Sequence, residues 1–294
     1  MIISVRGEKS VNVYNCFPGG KFKALTMSYD DGVESDIRLI EIFDKYGIKG
    51  TFNVNAGLAS SVGKHSTRVP LERIKEVYQG HEVATHCYTH PTIARCPLVE
   101  VAAEILKDRD TLEKLTGGLV RGHAYPNGSY SDDIKDLFKM LGIAYGRVTR
   151  PDPSGLVYQL PKDPLEWRPT SHHNDSELME RAKWLAENQS KQYLRLMYVW
   201  GHSWQFDRDN NWEVIEEFCK YMGGREDIWY ATNIEIIDYM EVLERLKFSA
   251  NGECVYNPSA KSAWLEIDNE RFVEVPGGAY VNLAEGRAND ETRS

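Results

Sequence analysis

The run KALTMSYDDG, residues 23–32, ends in two adjacent aspartates and a glycine. Asp31-Gly32 alone would make a turn, and an aspartate there can also cap a following helix. Two neighbouring carboxylates repel, so Asp30 and Asp31 need either screening by water or a cation between them. In the second case the chemistry is hydrolytic. Successive side chains at a strand end point in different directions, which lets Asp31 bind a divalent metal while Asp30 faces the water on it. Such an ion lowers the pKa of its water from about 15.7 to about 7. A carboxylate alongside can take the proton as general base.

Two further segments suit that chemistry. In ATHCYTHP, His86 and His90 are four residues apart. An HxxxH pair with one carboxylate is a common ligand set for a catalytic metal that keeps a position open. Pro91 pushes His90 out of the right-handed helical region, so the pair is expected on a turn or at a helix start. Taken alone, the pair also fits two surface or hydrogen-bonded histidines. His65 and His81, without an equivalent partner, read as structural or solvated.

His202 follows the most apolar strand-like run, LRLMYVWGH, and lies between Trp200 and Trp204. With an ordinary pKa of about 6.5 it can protonate a leaving amine or alkoxide. A core histidine with satisfied hydrogen bonds is the plainer reading. The two tryptophans can wall a pocket for an acyl methyl or a sugar face, or pack in the core. Cys87 does not read as a nucleophile: it adjoins His86 in sequence, adjacent residues rarely pair as nucleophile and base, and no nucleophile elbow surrounds Ser203.

Something must bring these distant residues together. Strand-like runs at 23–29, 50–55, 82–86, 122–126, 194–202 and 228–232 alternate with helix-period segments. Leu39, Ile40, Phe43 and Tyr46 share one helical face before the stop signal Gly47. Such alternation indicates a parallel sheet with right-handed crossovers, and this many repeats favours a closed or nearly closed barrel. Chemistry in these folds sits at the C-terminal ends of the strands. Asp30-Asp31, His86 with His90, Tyr125 and His202 all fall at such ends, so one rim would unite them.

Residues 150–175 hold five prolines and little periodicity, which suits a functional loop or lid. Beyond 248 the texture turns to short β-like stretches, ECVYN, AWLEI and RFVEV, separated by Asp268-Asn269 and Pro276-Gly277-Gly278. The expected organisation is a barrel over 1–248, a small antiparallel β appendage over 249–283 and a disordered tail over 284–294.

A chain of 294 residues with 41% hydrophobic and 27% charged residues is an ordinary soluble composition. Its net charge of −9 and lack of a basic stripe argue against nucleic-acid or anionic-membrane partners. No apolar run approaches the roughly 18 to 20 residues of a membrane helix, and the opening MIISVRGEKS lacks a secretory signal pattern. Five scattered cysteines without a CxxC pair suit a reducing compartment. The expected location is cytoplasmic.

The motifs MSYDDG, HCYTHP, AYPNGSYSDD and VWGHS, in that order, resemble those of the polysaccharide deacetylases, carbohydrate esterase family 4. The resemblance spans roughly residues 22 to 240. It implies an α/β fold, a distorted (β/α)7-type barrel, and a metal-dependent hydrolase that removes N- or O-linked acetyl groups from sugars. By the same resemblance Asp30 is the base, Asp31, His86 and His90 are the metal ligands, and His202 is the general acid. The resemblance implies a divalent metal, typically zinc, with cobalt or nickel tolerated. Tyr125, Arg121, Trp167 and Trp204 are expected on the substrate side.

The sequence departs from the family pattern in places. Ser28-Tyr29 replaces the usual threonine-phenylalanine, and Cys87 replaces a hydroxyl residue. In the third motif Ala124 stands at the arginine position and Asn127 at the tyrosine position; Arg121, three residues upstream, leaves open whether it takes the arginine's part. Asp163 and Trp167 match the fourth motif, which braces that arginine. Two other readings stay open: a hydrolase of a small amide, formamide or cyclic imide at the same metal site, and a non-catalytic metal-bearing sugar-binding module. His172 and His173 can reach substrate or face solvent.

Overall fold

A computed structural model describes residues 12–63 and 66–284. His65, the opening segment and residues 285–294 of the expected tail lie outside the described residues. After β1 (Val13–Cys16), which belongs to a second unit, the chain enters β2 (Lys23–Asp30), α1 (Ser35–Lys45) and β3 (Gly50–Val54). Then come α2 (Ile74–Val77), β4 (Glu82–Thr85), α3 (Leu98–Thr116), β5 (Gly122–Ala124), α4 (Asp132–Met140) and β6 (Tyr145–Arg147). The larger unit ends with β7 (Ser171–His172), α5 (Leu178–Glu187), β8 (Arg195–Gly201), α6 (Trp204–Asp209), α7 (Trp212–Met222), β9 (Ile228–Tyr230) and the start of α8 (Asn233–Arg245).

These strands form one curled parallel sheet in the order β6-β5-β4-β3-β2-β8-β7, the arrangement of a (β/α)7 barrel. β2 is its centre, and all eight of its residues are buried. One edge pairs with β8 from Lys23 to Tyr29; the other is shared, β9 taking its first three residues and β3 its last four. A strand covered on both faces and both edges must read as a nearly continuous apolar run, and KALTMSY does. Its one cation, Lys23, is buried with its Nζ on the Ala186 and Asn188 carbonyls and 2.5 Å from Asp227. The helices cover the sheet with amphipathic faces such as Leu39, Ile40, Ile42 and Phe43 of α1.

Two short strands, β6 and β7, were not apparent from periodicity. The proline-rich region is more than a loop: Trp167 exchanges backbone hydrogen bonds with β6, its N–H donating to Gly146 and its carbonyl accepting from Val148. Three residues on, Thr170 donates to Tyr198 of β8, and His173 donates to Trp200. One stretch of chain thereby bonds to both outer edges of the curl.

The second unit draws on both ends of the chain, up to Phe22 and from Asp238 onward. Strands β10 (Lys247–Phe248), β11 (Cys254–Tyr256), β12 (Ala263–Ile267), β13 (Arg271–Val275) and β14 (Tyr280–Asn282) make two antiparallel sheets, β1-β12-β13 and β10-β11-β14. Asp268 and Asn269, both with left-handed φ, turn β12 into β13. This unit starts earlier than the expected 249 and includes β1, because an N-terminal strand has to pair somewhere and Val13–Cys16 finds Trp264–Ile267. Among the described residues no helix is long and apolar enough to cross a membrane.

His123, on β5, is fully buried edge-on against Tyr125 and Phe138, and neither ring nitrogen has a hydrogen-bond partner among the described residues. Burial holds its pKa well below the ordinary value. The unfolded chain therefore takes up a proton here below about pH 6.5 that the fold does not, and stability falls as pH drops from there. His123→Phe removes both unpaired nitrogens. It should raise stability by about 1 kcal/mol and lessen its loss between about pH 6.5 and 4, as measured by denaturant unfolding across that range.

Candidate active site

The register of the sheet gathers the candidate residues. Tyr29 pairs with Gly201, Asp30 with Asn53, Thr85 with His123 and Ala124 with Arg147. The C-terminal ends of β2, β4, β6 and β8 thus share one rim. A separate cavity of about 460 Å³, lined by Lys49, His81 and Glu82 among others, lies around the N-terminal ends of β3 and β4 and holds none of the candidate residues.

Three residues in the turns after β2 and β4 are strained in the same way. Asp31 (φ 88), Cys87 (φ 63) and His90 (φ 62) have left-handed backbone, which non-glycine residues adopt at a cost and mostly where function requires it. Pro91 excludes His90 from the right-handed region as expected, and the residue goes to the left-handed one rather than the extended one. Gly32 follows with φ 62; a Cβ there would lie 2.9 Å from Val54 Cγ1.

Asp31, His86 and His90 each offer a ligand atom, all within 4.8 Å of one another. His86 Nδ1 lies 2.7 Å from the Ala124 carbonyl; the N–H must be on that nitrogen, which leaves Nε2 with its lone pair toward the cluster. Burial lowers the pKa of His86 to about 4, with Asp30 opposing and His90 reinforcing the shift. The ring is therefore neutral, as a ligand must be. Asp31 is held at both oxygens: Arg68 is 3.1 Å from Oδ1, and Trp204 Nε1 donates to Oδ2 at 3.0 Å. Burial opposes its ionisation, but His202, His86 and Arg68 outweigh that and lower its pKa. Two imidazoles and a carboxylate are a donor set suited to a divalent metal with an open position.

Asp30 is buried and its two oxygens differ. Oδ1 accepts from Asn53 Nδ2 at 2.8 Å and from Arg147 Nη2 in a short ion pair. Oδ2 lies 4.0 Å from His86 Nε2 and 3.9 Å from His202 Nε2, too far for direct hydrogen bonds. Desolvation disfavours the charge, yet Arg147, His86 and His202 together carry the carboxyl well below the usual range. The result is an ionised carboxylate with one oxygen committed and the other facing two imidazoles.

Arg147 was not apparent in the sequence. It is fully buried at the end of β6, its guanidinium 4.5 Å from the Trp200 ring centroid. It lies on the strand next to the one that leads into the third motif, and its guanidinium pairs with Asp30. Arg121 precedes β5 and so sits at the other end of that strand from Tyr125. Asp163 is half-exposed, caps a short turn and pairs with Lys135, so it does not brace Arg147.

Two further corrections concern the substrate side. Trp167 is 1% exposed between Tyr145 and Tyr198, and Tyr125 is 1% exposed with its hydroxyl donating to the Leu165 carbonyl. Both are core residues. Trp204 reaches the rim through its bond to Asp31. His173 is buried between Tyr29 and Phe206, whereas His172 pairs with Trp200 on the site side. Burial, with His202 and Arg147 nearby, lowers His172 to about 4. Cys87 is buried and its thiol is pushed well up by burial, so it is no nucleophile.

Two buried acids on helices hold the backbone beneath these groups. Asp108 of α3 accepts from Ala56 N–H, Thr85 Oγ1 and His86 N–H. Asp36 of α1 accepts from Val33 N–H, Tyr78 and Ser203, the residue after His202. Asp108 has a readable signal, an acid on the otherwise apolar stripe Val101, Ile105, Leu112.

Residues 18–146 match the polysaccharide deacetylase family. Over that segment, somewhat under half of its length, the chain is similar to the polysaccharide deacetylases. Over 144 residues it is 28% identical to the peptidoglycan-N-acetylmuramic acid deacetylase PdaC of Bacillus subtilis, covering 47% of this chain and 27% of that protein. Over 125 residues it is 26% identical to a chitooligosaccharide deacetylase of Bradyrhizobium, covering 42% of this chain and 54% of that protein. The chain spans about half or less of the length of these curated relatives. In fold, the chain is similar to a polysaccharide-deacetylase-like protein of Mycobacterium smegmatis (17% identity, TM-score 0.56, 78% of this chain and 93% of that one). It is similar also to Puue allantoinase (16% identity, TM-score 0.57, 76% and 91%). Arg147 and His202 fall outside the matched segment, so the fold and not the match brings them to the shared rim.

If Arg147 keeps Asp30 ionised, Arg147→Met should move the acidic limb of the pH–rate profile to higher pH. It should also lower kcat near neutrality about tenfold or more. Arg147→Lys, which keeps the charge without the fork, should fall between. An acidic limb that stays in place in Arg147→Met would remove this role.

Proposed function

We propose that this chain is a metal-dependent hydrolase that removes an acetyl group from an N- or O-acetylated sugar. One observation carries the reading: Asp30 Oδ2 faces both His86 of the ligand set and His202, while Arg147 and Asn53 hold Oδ1. A base, an acid and a ligand set thus meet within a few ångströms. The domain match and the deacetylase relatives support the carbohydrate substrate.

The ligand set is Asp31, His86 and His90, and zinc suits two imidazoles and a carboxylate. Bound there, a divalent ion supplies Lewis acidity, polarising the acyl oxygen and acidifying water. Asp30 Oδ2 takes the proton from the attacking water as the new carbon–oxygen bond forms. Its other oxygen cannot rotate into that role, because Asn53 and Arg147 hold it. His202 Nε2 gives a proton to the leaving nitrogen or oxygen as its bond to the acyl carbon breaks. The Gln205 side chain accepts from the His202 backbone N–H at 3.3 Å and, with Ser203 on Asp36, orients the segment that carries the acid.

Asp30→Asn should keep the metal at unchanged stoichiometry and lose about a hundredfold or more in kcat on acetylated chitooligosaccharides. His86→Ala should lose the metal itself, read by elemental analysis after dialysis. Unchanged turnover in Asp30→Asn would show the mechanism to be wrong. A substrate panel that sets acetylated oligosaccharides against small amides, formamides and cyclic imides tests the substrate class, and turnover confined to the small amides would overturn the sugar assignment.

A further inference from the structure

The departure in the third motif is also where a pocket forms. Asn127 and Gly128, at the motif's C-terminal half, line a pocket of about 320 Å³ with Tyr130, Thr149, Arg150 and Arg168. Its lining holds two guanidiniums and no carboxylate, in a chain whose net charge is −9. Asn127 is held with φ 57, and a Cβ on Gly128 (φ 62) would lie 2.5 Å from Thr149 Oγ1. Only glycine lets the two walls approach this closely.

The pocket adjoins the reaction centre on two sides. Asn127 Nδ2 donates to Thr92 Oγ1 at 3.0 Å, two residues beyond the ligand His90. Val148, another lining residue, directly follows Arg147, which grips Asp30. Arg168 is anchored by an ion pair with Glu166, which Lys135 also contacts at 3.3 Å. Arg150 is exposed and has no ion pair or hydrogen bond among the described residues. One guanidinium is thus fixed and the other is free to close on a ligand.

We propose that this pocket is a subsite for a carboxylate on the substrate, carried by the sugar beside the acetylated position. The inference rests on the reading of the chain as a sugar deacetylase. The guanidinium fork matches a carboxylate's two oxygens, while the Asn127 amide and the Thr149 and Tyr130 hydroxyls suit the hydroxyls of a sugar ring.

The test compares triacetylchitotriose with the same oligomer after oxidation of its primary alcohols to carboxylates, at fixed ionic strength on metal-loaded protein. The carboxylated oligomer should be preferred about tenfold in kcat/KM, chiefly through KM. Arg150→Ala should cut that ratio about tenfold, the worth of one charge-assisted hydrogen bond. Added salt should weaken the preference in the wild type. Equal use of the two oligomers, or a preference that survives in Arg150→Ala, would overturn the subsite and leave the deacetylase reading standing. If neither oligomer is hydrolysed, the deacetylase reading falls and calorimetric binding decides the subsite. Tighter binding of the carboxylated oligomer that depends on Arg150 upholds it; equal binding overturns it.

Discussion

An ionised carboxylate at the tip of a fully buried strand exists only if a cation is buried with it. Asp30 and Arg147 are that pair, and the rest of the larger unit is arranged around it. β6 stands four places from β2 in the sheet order, so the guanidinium meets the carboxylate across the inside of the curl rather than along it. Removing one partner of such a pair costs about 3–5 kcal/mol, because the other charge stays buried alone. The pair is thus a demand on the fold: the sheet must curl far enough for its outer strand to reach its central one.

Around that pair, backbone strain is offset by buried polar contacts. The left-handed residues Asp31, Cys87 and His90 are unfavourable in isolation. Asp108 accepts from the backbone just beyond β3, at Ala56, and just beyond β4, at His86, and Asn55 Nδ2 donates to the carbonyls of both His86 and Cys87. Asp36 ties the turn after Gly32 to Ser203 on the opposite side of the rim. Two helices therefore supply the acids that position loops after four strands, β2, β3, β4 and β8, which explains why α1 and α3 carry fully buried aspartates.

Much of this was legible from residue types alone. Asp30-Asp31, His86 with His90 and His202 each end a strand whose apolar run is long enough to see, so one rim followed from the pattern. Arg147 was hidden because β6 has three residues, too few for any period, and its partner lies far off in sequence. Asp163 and Trp167 matched a motif by spacing, but Asp163 turns outward to Lys135 and Trp167 turns inward to two tyrosines. Spacing fixes separation along the chain and says nothing about which way a side chain faces. Tyr125 fails as a substrate residue for the same reason. The second unit was readable as β-rich from its turn residues, whereas the recruitment of Val13–Cys16 to it is a pairing between chain ends that local pattern does not encode.

Asp30 and His202, the proposed base and acid, stand at the ends of neighbouring strands, β2 and β8, paired in parallel register up to Tyr29 and Gly201, yet nearly the whole barrel separates them along the chain. The ligand set comes from the first third. A nascent chain leaving the ribosome therefore acquires Asp31, His86 and His90 long before it acquires His202. Contacts of such high sequence separation close late in folding. On the proposed roles, the order of synthesis alone gives a growing polypeptide that holds its three ligand residues before the β8 segment, with the proposed acid behind it, slots in beside the first barrel strand.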